Sequence, residues 1–245
     1  LEEKIRKYSE KQKSIFLYTI PTCHNPTGYT LSENKRKQLS SLATVYNNFY
    51  VIADEVYHFL RWDDSETIQP MADYHPNFIS LGSFSKILAP SLRVGWIYIN
   101  NYFEEKYDEM TVIQDITNSA LFDSSGGINV LGSMIVNYAI KTGFLDKYLN
   151  QTLNILKDRC DVMVDALQKQ DIFTFEKPLG GYFLWLKSKY NTKDIFNFVS
   201  EYKVKYHYGS KFSCKNEKDE YLRLSFSYYE VFQLYHILKH LSFFL

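Results

Sequence analysis

Residues 14–28 read SIFLYTIPTCHNPTG, and the reading of the fold starts from them. Residues 14–20 form a short apolar run rich in β-branched and aromatic side chains, the composition of a strand buried in a sheet. Residues 21–28 gather Pro, Asn, Thr and Gly, which stop the strand in a loop. After the loop the period changes. Leu39, Leu42, Ala43 and Tyr46 fall at i, i+3, i+4 and i+7, the apolar stripe of a helix. Thr30 or Ser32 can cap that helix, and Thr30 with Glu33 has the spacing of a capping box. The alternation then repeats. Residues 49–53 (FYVIA) read as a second strand, residues 79–81 open a third, and residues 94–99 (VGWIYI) make a fourth. Continuous apolar strands separated by helices predict an α/β fold with a mostly parallel sheet buried on both faces.

Working outward, residues 2–13 predict an exposed helix. Residues 101–117 and 128–142 predict two more, separated by SSGG. Residues 144–170 carry Leu145, Leu149, Leu153, Leu156, Cys160, Met163 and Leu167 at steps of three or four, one helical pattern about 40 Å long. Such a helix can join two domains. The breaker Pro178-Leu179-Gly180-Gly181 ends the pattern. Strands follow at 182–186 and 221–226, and helices at 194–201 and 230–241. The expected organisation is a first domain over 1–143, a linking helix over 144–170 and a smaller α+β domain over 171–245.

Charge bounds the partners. Lys and Arg number 28 and Asp and Glu 28, so the formal net charge is zero, which argues against a general binder of nucleic acid or of anionic membrane. Cys23, Cys160 and Cys214 are too few and too scattered for a disulfide framework or a C-x-x-C metal site. No apolar run approaches a membrane span and no leader pattern opens the chain, so a cytoplasmic setting with reduced thiols is expected. The only histidine pair at helical i, i+4 spacing, His236 and His240, lacks the carboxylate of H-E-x-x-H. No P-loop, G-x-S-x-G or G-x-G-x-x-G is present.

Ligands of open α/β sheets bind beyond the carboxyl ends of the strands. Asn25 stands after the first strand, Asp54 and Tyr57 after the second, and Ser83, Ser85 and Lys86 after the third, with Arg93 just before the fourth. Each residue alone has an ordinary structural use; the ordered set is what points to chemistry. A lysine beside hydroxyls and an arginine fits a Schiff-base amine next to a phosphate clamp. A carboxylate suits a protonated ring nitrogen, and a phenol and an amide suit a phenolate oxygen. Pyridoxal 5'-phosphate (PLP) has these groups.

The same residues carry a resemblance. Asn25-Pro26-Thr27-Gly28, Asp54-Glu55-Val56-Tyr57, Ser83-Phe84-Ser85-Lys86 and Arg93-Val94-Gly95-Trp96 resemble, in order, the N-P-T-G, D-E-x-Y, lysine and R-x-G-W motifs of PLP-dependent aminotransferases of class I/II. Gly180-Gly181-Tyr182-Phe183, Gly209-Ser210-Lys211-Phe212 (with Tyr208 in place of the common proline) and Leu222-Arg223-Leu224-Ser225-Phe226 extend the match to the C-terminal part. The flavour is that of the branch holding 2-aminoadipate and kynurenine transaminases and the aminotransferase-like domain of MocR-type regulators.

The resemblance implies fold type I, with a large PLP-binding domain and a smaller C-terminal domain. It implies that Lys86 forms the Schiff base and shuttles the substrate proton, and that Asp54 pairs with the pyridine nitrogen. Asn25 and Tyr57 would bond the 3-oxygen, and Ser83, Ser85 and Arg93 would bind phosphate. Arg223, with Asn25, would bind the substrate α-carboxylate. In YLRLSF, Arg223 alternates with Leu222 and Leu224 and so lies off the core face. Gly126, Gly127, Ser124, Ser125 and Asn129 fall where the branch has a Gly-rich loop near a neighbouring subunit's cofactor. The implied activity is amino-group exchange between an amino acid and a 2-oxo acid, of 2-aminoadipate or aromatic type, by a homodimer of the complete protein. A PLP lyase, the ligand-sensing domain of a regulator and an inactive fragment are the alternatives. In the family a sizeable segment precedes the N-P-T-G strand, with an N-terminal arm, a Gly-rich phosphate turn and a stacking aromatic. None has a counterpart before Ser14, so the chain is expected to be the second half of the large domain plus the small domain, and to bind PLP poorly by itself.

Overall fold

A computed structural model describes residues 1–63, 68–100, 129–195 and 205–241. The chain divides into two compact units. The first takes in Leu1–Thr22, Leu31–Phe59 and Ser65–Leu149, and the second Cys23–Thr30, Leu60–Asp64 and Asn150–Leu245.

In the first unit α1 (Glu2–Ser9) precedes β1 (Ile15–Thr19), α2 (Glu33–Val45), β2 (Phe49–Asp54), β3 (Phe78–Ser83) and β4 (Gly95–Ile99). The strands lie in the order β1-β2-β3-β4. β1, β2 and β3 are parallel, whereas β4 runs antiparallel to β3. The two parallel steps are crossovers that contain a helix or a long connection, while β3 and β4 are joined by the loop 84–94, short enough to turn the chain straight back. Phe49, Val51 and Ala53 alternate along β2 and are fully buried against Leu39 and Ala43 of α2, Ile5 of α1, Met71 and Phe78. Burying a side chain of this size contributes about 1.5–3 kcal/mol. The opposite face of β1 differs from expectation. Phe16 is 63% and Tyr18 61% exposed, and on the same face Tyr50 and Ile52 of β2 are only partly buried; Phe16 stacks on Tyr50 with ring centroids 5.3 Å apart.

The helix caps also sort themselves out. α2 is capped by Ser32, whose Oγ accepts from Lys35 N at 3.4 Å. Thr30 does not cap it; its Oγ1 accepts from Cys23 N at 3.0 Å and so closes the preceding loop. α1 stops at Ser9 rather than 13, since Gln12 takes a left-handed backbone (φ 52°) that no helix continues through. α3 (Val130–Lys141) begins at Asn129, whose Oδ1 accepts from Gly132 N at 2.9 Å. The helix expected over 101–117 and the SSGG segment lie outside the described residues.

α4 (Phe144–Gln168) is one unbroken helix of 25 residues. Of its predicted stripe Leu156, Cys160, Met163 and Leu167 are buried, together with Arg159 and Val164. Arg159 Nη1 donates to Ser227 O at 2.7 Å and Nη2 to Glu230 at 2.6 Å. The second unit then adds β5 (Phe173–Thr174), β6 (Phe183–Ser188), β7 (His207–Tyr208), β8 (Tyr221–Ser225) and α5 (Val231–Leu241). Its sheet is antiparallel throughout, in the order β5-β6-β8-β7. Leu184 and Leu186 of β6, Leu222 and Leu224 of β8, and Leu234 and Leu238 of α5 are among its buried residues. β5 and β7, two residues each, are too short to carry a periodic signal. The helix expected at 194–201 lies largely outside the described residues.

Candidate active site

In the first unit the candidate residues stand at the carboxyl ends of β2 and β3. Asp54 is the last residue of β2, half-buried, and its Oδ2 accepts a hydrogen bond from Tyr18 Oη at 2.6 Å. The backbone then crosses to the neighbouring strand, Glu55 N donating to Leu81 O at 2.8 Å. Tyr57 follows, 4% exposed.

The loop is anchored from below by a buried ion pair that reading the sequence missed. Arg36 is fully buried, although its surroundings, ENKRKQ, read as a solvated helix face. Its guanidinium donates to Leu31 O, Gln69 O, Pro21 O and Thr22 Oγ1 at 2.9–3.2 Å and lies 3.6 Å from Glu55 Oε1. Glu55 in turn accepts from Met71 N at 3.2 Å. Burial works against the Glu55 carboxylate, but the side chains of His58 and Ser80 and the Met71 N–H outweigh it and hold the group below the usual glutamate range. One arginine thus ties the segment after β1 to the segment after β2. The available signal was its place on the buried side of α2, three residues before Leu39.

β3 ends at Ser83, and the loop 84–94 closes on itself. Phe84 N donates to Val94 O at 3.0 Å, Leu88 N to Phe84 O at 2.9 Å, and Ser85 N to Ser83 Oγ at 3.1 Å. Arg93 takes a left-handed backbone, φ 52°. Its Nη1 donates to Ser85 Oγ at 3.4 Å and to Pro90 O at 3.3 Å. Ser83, Ser85 and Arg93 are therefore drawn together in the loop that also carries the exposed Lys86. Asn129 ties α3 to this loop, its Nδ2 donating to Leu92 O at 2.7 Å, which gives Asn129 a structural use. Gly126, Gly127, Ser124 and Ser125 lie outside the described residues. Gly82 lets Trp96 lie across the sheet, since a Cβ there would stand 2.0 Å from the indole. Trp96 is half-buried and packs on Phe84 with ring centroids 4.8 Å apart.

Asn25 and Arg223 belong to the second unit, and there they meet. Arg223 Nη1 donates to Asn25 Oδ1 at 2.6 Å across a separation of 198 residues. The guanidinium also lies over the rings of Phe183, at 4.1 Å, and Phe212, at 4.9 Å. Two ring faces and an amide oxygen hold the plane of the fork. The alternation expected along β8 holds, with Leu222 and Leu224 buried and Arg223 half-buried on the other face. The HNPTG loop is braced by Gly28 (φ 73°) and by Gly180 and Gly181. A Cβ on Gly180 would stand 2.5 Å from Cys23 Sγ and from Leu60 O, so only glycine lets the two loops touch. His24 Nδ1 shares a hydrogen bond with Thr27 Oγ1 at 2.9 Å, a structural tie. The peptide between Asn25 and Pro26 is cis.

The donor set matches the groups of PLP. Lys86 supplies an amine, Ser83, Ser85 and Arg93 two hydroxyls and a guanidinium linked by hydrogen bonds, and Asp54 a carboxylate. Asp54 has one oxygen held by Tyr18, and among the described residues its Oδ1 accepts no hydrogen bond. A groove of about 410 Å³ beside β1 and α2, lined by Leu17, Leu31, Leu39 and Leu42 among others, contains none of these groups. Among the described residues no cluster of His, Cys, Asp and Glu could hold a metal, and no helix is long and apolar enough to cross a membrane.

Comparison with known proteins assigns the class. The sequence profile of the aminotransferase class I and II family matches residues 1–241, and the chain belongs to that family. Its architecture is that of the PLP-dependent fold type I enzymes. The chain is 32% identical over 235 residues to aromatic-amino-acid aminotransferase 1 of Thermococcus litoralis, covering 93% of this chain and 54% of the relative. It is 31% identical to the uncharacterized HTH-type transcriptional regulator YisV of Bacillus subtilis, covering 86% and 42%. The crystal structure of Pyrococcus horikoshii kynurenine aminotransferase in complex with PMP superposes with a TM-score of 0.80 at 28% identity, covering 98% of this chain and 58% of that one. The chain thus spans about half the length of the relatives it matches. Family membership implies PLP as cofactor.

Proposed function

We propose that the protein carrying this chain is a PLP-dependent aminotransferase that exchanges an amino group between an amino acid of aromatic or 2-aminoadipate type and a 2-oxo acid. The observation that carries the reading is the segment at the end of β3, where Ser83, Ser85 and Arg93 are drawn together by hydrogen bonds in the loop that also holds Lys86. Bound PLP supplies an electron sink and a carrier for the amino group. Lys86 Nζ would hold the cofactor aldehyde, and its amine would take up and return the substrate Cα proton. Ser83, Ser85 and Arg93 bind the phosphate, where a planar guanidinium offers two parallel donors. Asp54 accepts the pyridine N–H, and Tyr57 and Asn25 donate toward the 3-oxygen. Arg223, oriented by Asn25, pairs with the substrate α-carboxylate. On this reading residues 1–143 are part of the large cofactor-binding domain, α4 is the linking helix and 171–245 the small domain, and the complete protein works as a homodimer.

The names of the relatives support the substrate class. They also favour a second reading, since the regulator of B. subtilis shares the same segment: a ligand-sensing domain with the same cofactor grip. The test adds single amino acids to the full-length, PLP-loaded protein and follows the visible absorption. Conversion to the PMP spectrum, restored by a 2-oxo acid, is the expected result. Release of pyruvate and ammonia identifies a lyase. PLP binding without conversion by any amino acid, together with binding to promoter DNA, identifies the regulator. Lys86→Ala is expected to abolish both conversion and the fixing of cofactor by borohydride.

A further inference from the structure

We propose that Tyr18 is a positioning residue for Asp54: its phenol occupies one carboxylate oxygen and so dedicates the other to the ring nitrogen of the cofactor. The inference rests on the reading of Asp54 given above and extends it to a residue that no motif contains. The sheet register produces the contact. Tyr18 of β1 pairs with Ile52 of the parallel β2. Side chains two apart share a face, so Asp54 lies on the same face as Tyr18, one diagonal step further on. A tyrosine spans that step, and its Oη meets Asp54 Oδ2 at 2.6 Å.

The contact is specific: among the described residues Tyr18 Oη makes one hydrogen bond, the short one to Asp54. The phenol pKa is pushed up to about 12, chiefly by the hydrogen bond to Asp54 and then by partial burial. The hydroxyl therefore remains a donor throughout the neutral range. A carboxylate at the end of a strand can rotate about its terminal torsion; a donor fixed on one oxygen removes that freedom and settles which oxygen faces outward. Among the described residues Oδ1 accepts nothing.

The test measures PLP affinity of the full-length apoprotein by equilibrium dialysis, in a cycle of wild type, Tyr18→Phe, Asp54→Asn and the double variant. Thermal unfolding of each apoprotein is followed alongside. Tyr18→Phe keeps the ring and deletes one oxygen. A weakening of three- to tenfold is expected from the loss of one such bond, with the apo midpoint unchanged within about 2 °C. In the Asp54→Asn background the same change is expected to have no effect, because the charged acceptor is gone. Wild-type affinity in Tyr18→Phe would overturn the proposal, as would an equal weakening with and without the Asp54 carboxylate, which would mark Tyr18 as structural. A wild-type protein that takes up no PLP would overturn the reading of the site itself and this inference with it, an outcome distinct from the other two.

Discussion

Arg223, proposed above to pair with the substrate carboxylate, is held in one orientation by its neighbours. Its strand neighbours Leu222 and Leu224 are buried, so alternation turns it away from the core. Asn25 then takes one donor at 2.6 Å and the rings of Phe183 and Phe212 hold the guanidinium plane. Lysine keeps the charge but neither stacks nor offers a fork. Arg223→Lys is therefore expected to raise KM for the amino acid about ten- to a hundredfold while kcat changes less, as steady-state kinetics of the full-length protein would show; charge-assisted hydrogen bonds of this kind contribute roughly 1.5–3 kcal/mol. A KM unchanged by the substitution would remove Arg223 from substrate binding. Sequence placed this arginine on the right face of its strand, but neither its stacking partners nor its bond to Asn25 is visible locally, because they come from residues 11 to 198 positions away.

At the scale of elements, the strands and the apolar stripe of α2 were legible because hydrophobic periodicity is a property of neighbouring residues. Two things were not. The antiparallel course of β4 depends on how the loop 84–94 folds back, which apolar patterning does not encode. The burial of Arg36 depends on carbonyls of Pro21, Leu31 and Gln69, brought together only when β1, α2 and the connection after β2 assemble. Its partner Glu55 yields a pH prediction. The folded-state pKa of Glu55 lies below its ordinary value, so the folded state binds the proton less readily than the unfolded chain. The resulting stability is present above the ordinary glutamate range and is lost as pH falls through the folded value. Glu55→Gln is expected to flatten the acid limb of the stability curve in that range, measured by denaturant unfolding at stepped pH. An acid limb identical to wild type would show that Glu55 carries no such linkage.

At the scale of the whole molecule, thiol accessibility reports on the second unit, which holds Cys23, Cys160 and Cys214. Cys23 is 2% exposed beneath Gly180 and Gly181, and Cys160 is fully buried on α4. Burial raises the first thiol to about 11 and the second to about 12, and both effects suppress the reactive thiolate. Cys214 is exposed. Of the three thiols of this chain, a chromogenic reagent at pH 8 is expected to modify Cys214 in the native protein and all three in denaturant, as peptide mapping of the labelled protein would show. Rapid labelling of Cys23 or Cys160 would mean that the contacts covering that residue open readily.

The amino-acid sequence by itself determined the element types, the order of the motifs and the chemistry of the donor set, because periodicity, turn residues and side-chain type are local properties. The tertiary structure decided which oxygen of Asp54 is held, what orients Arg223, that Thr30 closes a loop rather than capping a helix, and that an arginine in a charged stretch lies in the core. Each of these is a hydrogen bond or a ring contact whose geometry exists only once strand register and loop closure have brought the partners within reach, whether 7 residues apart, as for Cys23 and Thr30, or 198, as for Asn25 and Arg223.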